Sequence, residues 1–293
     1  MTVAQRMIGN GELHLAQEDG GSPATLAAGT APGESGVSVL KMRFQGAAHY
    51  RATPSQHLVW FQLSPQTRFD CRIAGHALRH DPPVGSLSIC PAGVDSAADA
   101  EEGIEALLVA IRPGQLALAA AEDSALEAQL MVRFSGRDPT LLELARTLAL
   151  ESAGRYPNGA LFWNEIASGF LDRLLARHMS GFDGRARGSL GKDVLDRLRS
   201  YVMDNLDHPI EVATLAKMAG RSPFHFTRVF TRSVGVTPHR YIVHLRLRRA
   251  IELVRDERSG LAEIAARTGF ADQSHLSRWV RRVHGVSVTQ LVA

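Results

Sequence analysis

Residues 215–235, LAKMAGRSPFHFTRVFTRSVG, and residues 264–285, IAARTGFADQSHLSRWVRRVHG, are two copies of one pattern, and they decide the fold of the C-terminal third. Leu215, Ala216 and Gly220 parallel Ile264, Ala265 and Gly269 at an offset of 49. Phe226, Arg228, Phe230 and Gly235 parallel Leu276, Arg278, Val280 and Gly285 at an offset of 50. Each copy has the parts of a helix-turn-helix: a short helix with a small residue for close packing, a glycine turn, then a second helix. Ser222 followed by Pro223 is a helix start in the first copy, and Asp272 can cap in the second. The i, i+4 pairs Phe226/Phe230 and Leu276/Val280 fix the buried faces, so the opposite faces meet solvent or a ligand. Those faces present Phe224, Thr227, Arg228 and Thr231 in one copy, and Gln273, Ser274, Ser277, Arg278 and Arg281 in the other. Arg and Gln there can form paired hydrogen bonds with guanine and adenine edges. An exposed Arg on one helix is ordinarily only solvated; its recurrence in two equivalent helices is what points to DNA.

Working outward, the spacing predicts helices over 194–205, 210–219, 223–233, 238–256, 261–268 and 273–283. The 238–256 helix joins the two copies. About 19 residues at roughly 1.5 Å each give roughly 28 Å, near the roughly 34 Å between major-groove faces one turn apart on B-DNA. The charge agrees with a polyanion partner. Residues 185–293 hold 19 Lys and Arg against 10 Asp and Glu, a net +9, whereas residues 1–184 hold 14 against 20, a net −6. His225 and His275, on separate copies, read as packing or phosphate-contacting side chains rather than as a metal pair, and Trp279 reads as packing.

Residues 180–193, SGFDGRARGSLGKD, carry four glycines and no apolar period, and they are read as a linker between domains 1–179 and 194–293. Before it, 139–152 and 159–179 predict a helical pair. Phe162, Ile166, Phe170 and Leu174 form a stripe on the second helix that either covers its own domain or meets another subunit. Between about 36 and 112, short apolar runs separated by turns predict strands over 37–44, 58–63, 69–77, 86–90 and 104–111, with turns at 64–66, 81–83 and 91–93. Such spacing suits a small barrel or jelly roll. The first 35 residues give little signal. Leu40, Met42, Phe44 and Trp60 read as barrel filling or as the lining of a ligand pocket.

Several classes are disfavoured. The longest apolar runs, 106–111 and 116–121, are far short of the roughly 20 residues that span a bilayer. The first residues show no secretory pattern, so a cytoplasmic location is expected. Cys71 and Cys90 make neither a disulfide framework nor a cysteine-rich zinc site. No phosphate-binding glycine loop and no catalytic Ser/His/Asp or Cys/His spacing occurs, so neither an enzyme nor a cofactor is expected.

Residues 186–293 closely resemble the DNA-binding domain of AraC/XylS transcription regulators, through PIEVATLAKMAGRSPFHFTRVFTRSVGVTPHRYI, LRLRRAIELV and IAARTGFADQSHLSRWVRRVHG. The resemblance implies base contacts from Phe224, Thr227 and Arg228 in one groove and from Gln273, Ser274, His275 and Arg278 in the next. It places Arg232 and Arg282 on phosphates. It implies an α+β chain, with a cupin-like N-terminal β-barrel, a trailing helical pair, and an all-α C-terminal domain whose two helix-turn-helix units are joined by a long helix. It further implies a transcriptional activator that acts with RNA polymerase on double-stranded promoter DNA, as a homodimer through the helical pair, under a small-molecule effector of unspecified identity or, alternatively, without one. Val288 departs from the pattern, standing where the family usually has Pro. Residues 85–93, GSLSICPAG, resemble the second cupin box, but Ser96 occupies the place of its metal-binding histidine. With no His-x-His upstream, no metal is expected, and a cupin-like enzyme is only a weak alternative.

Overall fold

The computed structural model describes residues 12–17, 23–30, 36–64, 67–122, 129–180, 190–256 and 259–291. They divide into two compact units, one holding the strands and one holding the residues from Leu190 onward. The expected linker lies largely outside the described residues, as do Pro65 and Gln66 of one expected turn and residues 1–11.

In the first unit the strands are β1 (Glu12–Gln17), β2 (Ala24–Thr30), β3 (Val37–Arg43), β4 (Ala48–Thr53), β5 (His57–Gln62), β6 (Phe69–Ile73), β7 (His76–His80), β8 (Ser86–Cys90), β9 (Ser96–Ala100) and β10 (Glu105–Ile111). Helix α1 (Pro113–Glu122), β11 (Gln129–Leu130), β12 (Arg133–Arg137), α2 (Pro139–Ala153), α3 (Gly159–His178) and β13 (Met179–Ser180) follow. From Leu116 on, α1 groups with the second unit, where Leu118 is buried with Leu190 and Leu198.

The expected closed barrel is corrected to two open sheets, ordered β1-β4-β9-β6-β7 and β12-β8-β5-β10-β3-β2. They share one core. Leu40 and Met42 of β3, Phe44 just after it, Leu58 of β5, Cys90 of β8 and Leu108 of β10 pack with Ala52 of β4, Ile73 of β6 and Ala100 of β9. Strand β10 lies between β3 and β5, with Leu108 opposite Leu40 on one side and Trp60 on the other. Its near-continuous burial reflects cover on both faces, and Phe170 of α3 meets Phe61 edge-on at 6.4 Å.

The run expected as one strand over 69–77 is two strands of a hairpin, because Ala74 and Gly75 turn with φ of 54° and 77°. Strands β4 (AHYRAT) and β9 (SAADA) carry few large apolar side chains, so burial of their alanines, not periodicity, places them. Helix α2 starts at Asp138, whose carboxylate accepts the Leu141 N–H at 3.1 Å and the Arg173 Nε–H at 2.8 Å, with His178 Nε2 at 3.2 Å. The stripe on α3 divides: Phe170 and Leu174 are fully buried, whereas Phe162 and Ile166 are half-buried and Leu150 on α2 is 72% exposed.

In the second unit, α4 (Lys192–Asp204), α5 (Val212–Met218), α6 (Pro223–Val234), α7 (Pro238–Asp256), α8 (Leu261–Arg267), α9 (Gln273–His284) and α10 (Val288–Leu291) succeed one another. The chain keeps a last helix despite Val288, which is 4% exposed in the core of α7 to α9. Among the described residues, no helix is long and apolar enough to cross a membrane.

His57, at the start of β5, accepts the Ala92 N–H through Nδ1 at 3.0 Å, and burial lowers its pKa from 6.5 to about 4. The unfolded chain binds the proton first as pH falls. The stability that depends on neutral His57 is therefore complete above pH 6.5 and lost progressively toward pH 4, by up to about 3 kcal/mol. Urea unfolding between pH 7 and pH 5 is expected to show a falling midpoint that flattens in His57→Gln; equal slopes in both proteins contradict this.

Candidate nucleic-acid interface

The two helix-turn-helix units are built alike. In the first, α5 buries Leu215 and Ala216, and α6 buries Phe226, Val229, Phe230 and Val234. Ser222 accepts the His225 N–H at 3.4 Å to open α6, and Gly235, at φ 79°, closes it. In the second, α8 buries Ile264 and Ala265, and α9 buries Leu276 and Val280. Asp272 accepts the His275 N–H at 2.6 Å to open α9, and Gly285, at φ 74°, closes it. The buried Thr268 hydroxyl donates to the Ile264 carbonyl at 2.6 Å, which satisfies it within the turn.

Both outward faces are basic and open. On α6, Phe224 is 82% exposed, an unusual position for a large apolar side chain, and Arg228 and Arg232 are exposed beside it. Thr227 is half-buried, its hydroxyl donating to the Pro223 carbonyl at 2.9 Å. On α9, Gln273, Ser274, Arg278, Arg281 and Arg282 are exposed. Among the described residues, no carboxylate pairs with Arg228, Arg232, Arg278 or Arg281. On α7, Arg248 and Arg249 reach Glu252 at 3.1 Å, and on α8 Arg267 reaches Glu263 at 3.8 Å, so these arginines are engaged. Unpaired guanidinium groups on a convex helix face retain all their donors for an anion or a base edge.

His275 is placed differently from its neighbours. It is half-buried, edge-on to the Phe270 ring at 5.5 Å, and its Nε2 accepts the Trp279 indole N–H at 3.0 Å. Trp279 in turn carries the Arg282 guanidinium 5.2 Å above its ring and lies 6.4 Å from the His239 ring of α7. His225 on α6 is exposed. The structure thus gathers Phe224, Thr227, Arg228 and Arg232 on one helix and Gln273, Ser274, Arg278 and Arg282 on the other, while His275 joins a ring cluster at the base of α9. Among the described residues, no group of three His, Cys, Asp or Glu side chains converges.

Both units hang on α7. Tyr241, Ile242 and Leu245 enter the core of α4, α5 and α6, whereas Val243, Leu247, Ala250 and Leu253 enter the core of α8 and α9. At roughly 100° per residue these two sets centre on different faces of one helix, about 140° apart.

Residues 215–293 match the family described as "Helix-turn-helix domain". Three transcriptional regulators resemble the chain. LumQ of Photobacterium leiognathi, a probable transcriptional regulator, is 31% identical over 127 residues, covering 43% of this chain and 50% of LumQ. Rv1931c of Mycobacterium tuberculosis, an HTH-type transcriptional regulator, is 39% identical over 80 residues, covering 27% of this chain and 30% of that protein. RhaS of Escherichia coli O139:H28, an HTH-type transcriptional activator, is 29% identical over 113 residues, covering 39% and 40% respectively. The chain spans half or less of the length of these curated relatives. Residues 215–293 are a helix-turn-helix domain.

Proposed function

We propose that this protein is a transcriptional regulator of the AraC/XylS family whose α6 and α9 enter adjacent major grooves of double-stranded DNA. The observation that carries the reading is the pair Arg228 and Arg278: equivalent, exposed and without a carboxylate partner among the described residues, on two helices whose cores are completed by different faces of α7. Phe224, Thr227 and Arg228 read one groove, and Gln273, Ser274 and Arg278 the next. Arg232 and Arg282 contact phosphate, Arg282 from its seat on Trp279. His275 holds the start of α9 against Phe270 and Trp279 rather than reaching a base. The RhaS likeness favours activation, with RNA polymerase as partner, in a cytoplasmic setting.

The first unit is assigned two roles, sensing and dimerisation. A cavity of about 110 Å³ lies among Phe44, Tyr50, Trp60, Phe69, Cys71 and Ser96. Burial disfavours the charged forms of three groups in its lining. Burial pushes the Tyr50 phenol up and the Cys71 thiol to about 11, and it pushes the His80 imidazole down. Tyr50 and Ser96 hydroxyls pair at 2.9 Å, and Tyr50 meets Trp60 edge-on at 5.1 Å. Such a space suits a small, uncharged, largely apolar effector. The half-buried pair Phe162 and Ile166 on α3 suits an isologous contact with a second copy.

Arg228→Ala and Arg278→Ala are each expected to cost about 1–3 kcal/mol on a selected site and to relax preference at different base positions. Arg232→Ala and Arg282→Ala are expected to weaken binding on all sequences and to lower the salt slope. Selection from a randomised duplex library with each variant reads both outcomes. Loss at the same base pairs for the first two contradicts the two-groove reading.

For the first unit, a matching effector at 100 times its Kd is expected to stabilise the fold by about 2.7 kcal/mol, and not to stabilise Ala98→Leu, which fills the cavity. Phe162→Glu is expected to shift the sedimenting dimer to monomer. A panel of small apolar compounds with no thermal shift would leave a regulator controlled by protein contacts, and a wild type that is monomeric at micromolar concentration removes the dimer.

A further inference from the structure

The two helix-turn-helix units have separate cores, and a single helix is a compliant link, so α7 alone does not fix how α9 stands relative to α6. A second connection exists. Arg246, on α7 between the two buried faces, donates from Nε to the Leu206 carbonyl at 2.9 Å and from its terminal nitrogen to the His208 carbonyl at 2.7 Å. Both carbonyls belong to the loop after α4, which packs with the first helix-turn-helix, and Leu206 itself is buried in that core. Carbonyls just past a helix end lack intrahelical partners, and a guanidinium can serve two of them at once.

The turn of the second unit closes on the same place. Gly269 has φ 73°, and a Cβ there would overlap the Leu206 carbonyl oxygen and lie 2.7 Å from the Arg246 guanidinium. The equivalent Gly220 in the first unit has φ 63°, yet a Cβ would meet nothing within 4 Å among the described residues. Position 220 needs glycine for its backbone angle alone. Position 269 needs it also because three segments meet there: the α4–α5 loop, α7, and the α8–α9 turn.

We propose that Arg246 is a positioning residue that, with Gly269, locks the two helix-turn-helix units at one separation and rotation, and so sets the spacing at which the two DNA contact regions are read. The inference rests on the two-groove reading above. A simple cap on α4 would lower stability when removed and leave spacing preference untouched, whereas a lock makes spacing preference the first property to go. One inserted base pair moves a contact region by roughly 3.4 Å and turns it by about a tenth of a helical turn, a mismatch that only a rigid joint penalises.

The test uses the full chain and three duplexes that differ only in the distance between the two contact regions: the selected spacing, one base pair shorter and one longer. Wild type is expected to prefer the selected spacing by about tenfold, the scale of one lost base-pair contact. Arg246→Met and Gly269→Ala are expected to bring that ratio below about threefold. Arg246→Lys, which keeps one of the two bonds, falls between, and Gly220→Ala keeps the wild-type ratio. Thermal melts identify any variant that fails to fold; if Arg246→Met does, Arg246→Lys decides. Folded Arg246 variants with the wild-type ratio overturn the lock while leaving two-groove reading intact. A wild type with no spacing preference overturns both.

Discussion

Helix α7 is the constraint on which the C-terminal architecture depends. A helix that is apolar on two faces cannot be stable alone in water, and each face here is completed by a different unit: Tyr241, Ile242 and Leu245 by α4 to α6, Val243, Leu247, Ala250 and Leu253 by α8 and α9. Neither small unit buries a self-sufficient core, so the shared helix stabilises both. The buried pairs Phe226/Phe230 and Leu276/Val280 then dictate which faces of α6 and α9 remain outside. The arginines follow from that phase.

The first unit solves a different problem. A six-stranded sheet with Val59, Leu107 and Val109 fully buried needs cover on both faces. The five-stranded sheet supplies one cover and the α2–α3 pair the other, with Phe61 against Phe170. Asp138 ties the pair together: its carboxylate holds the start of α2, Arg173 and His178. Burial alone would raise its pKa, and the Arg173, Leu141 and His178 bonds outweigh that and leave it below the ordinary value. Where the packing is incomplete, between Tyr50, Trp60 and Ser96, the space left is small and uncharged.

Local signals were legible in the sequence, and non-local ones were not. Ser222 before Pro223, Asp272 before Gln273 and the glycines at 235 and 285 act within one turn of their helices, and the structure places caps at those positions. The duplicated i, i+4 pairs likewise gave the buried faces. Sheet closure depends on which distant edges pair, so strand patterning could not separate a barrel from two open sheets. Strands β4 and β9 escaped because alanine carries little periodic signal. Arg246 looked like one more cation in LRLRR, since its acceptors are carbonyls about 40 residues away. The His275–Trp279 bond is accessible in principle, as an i, i+4 pair that agrees with the packing reading of His275, whereas the base contact expected of His275 rests on the family resemblance alone.

Hydroxyl-radical footprinting of the full chain on a site selected from a random library tests the central claim most directly. A joint built on α7 predicts two protected patches on one face of the duplex, about 10 base pairs apart, each lost separately when Arg228 or Arg278 is replaced. A single patch, or two patches that vanish together with either replacement, would contradict it.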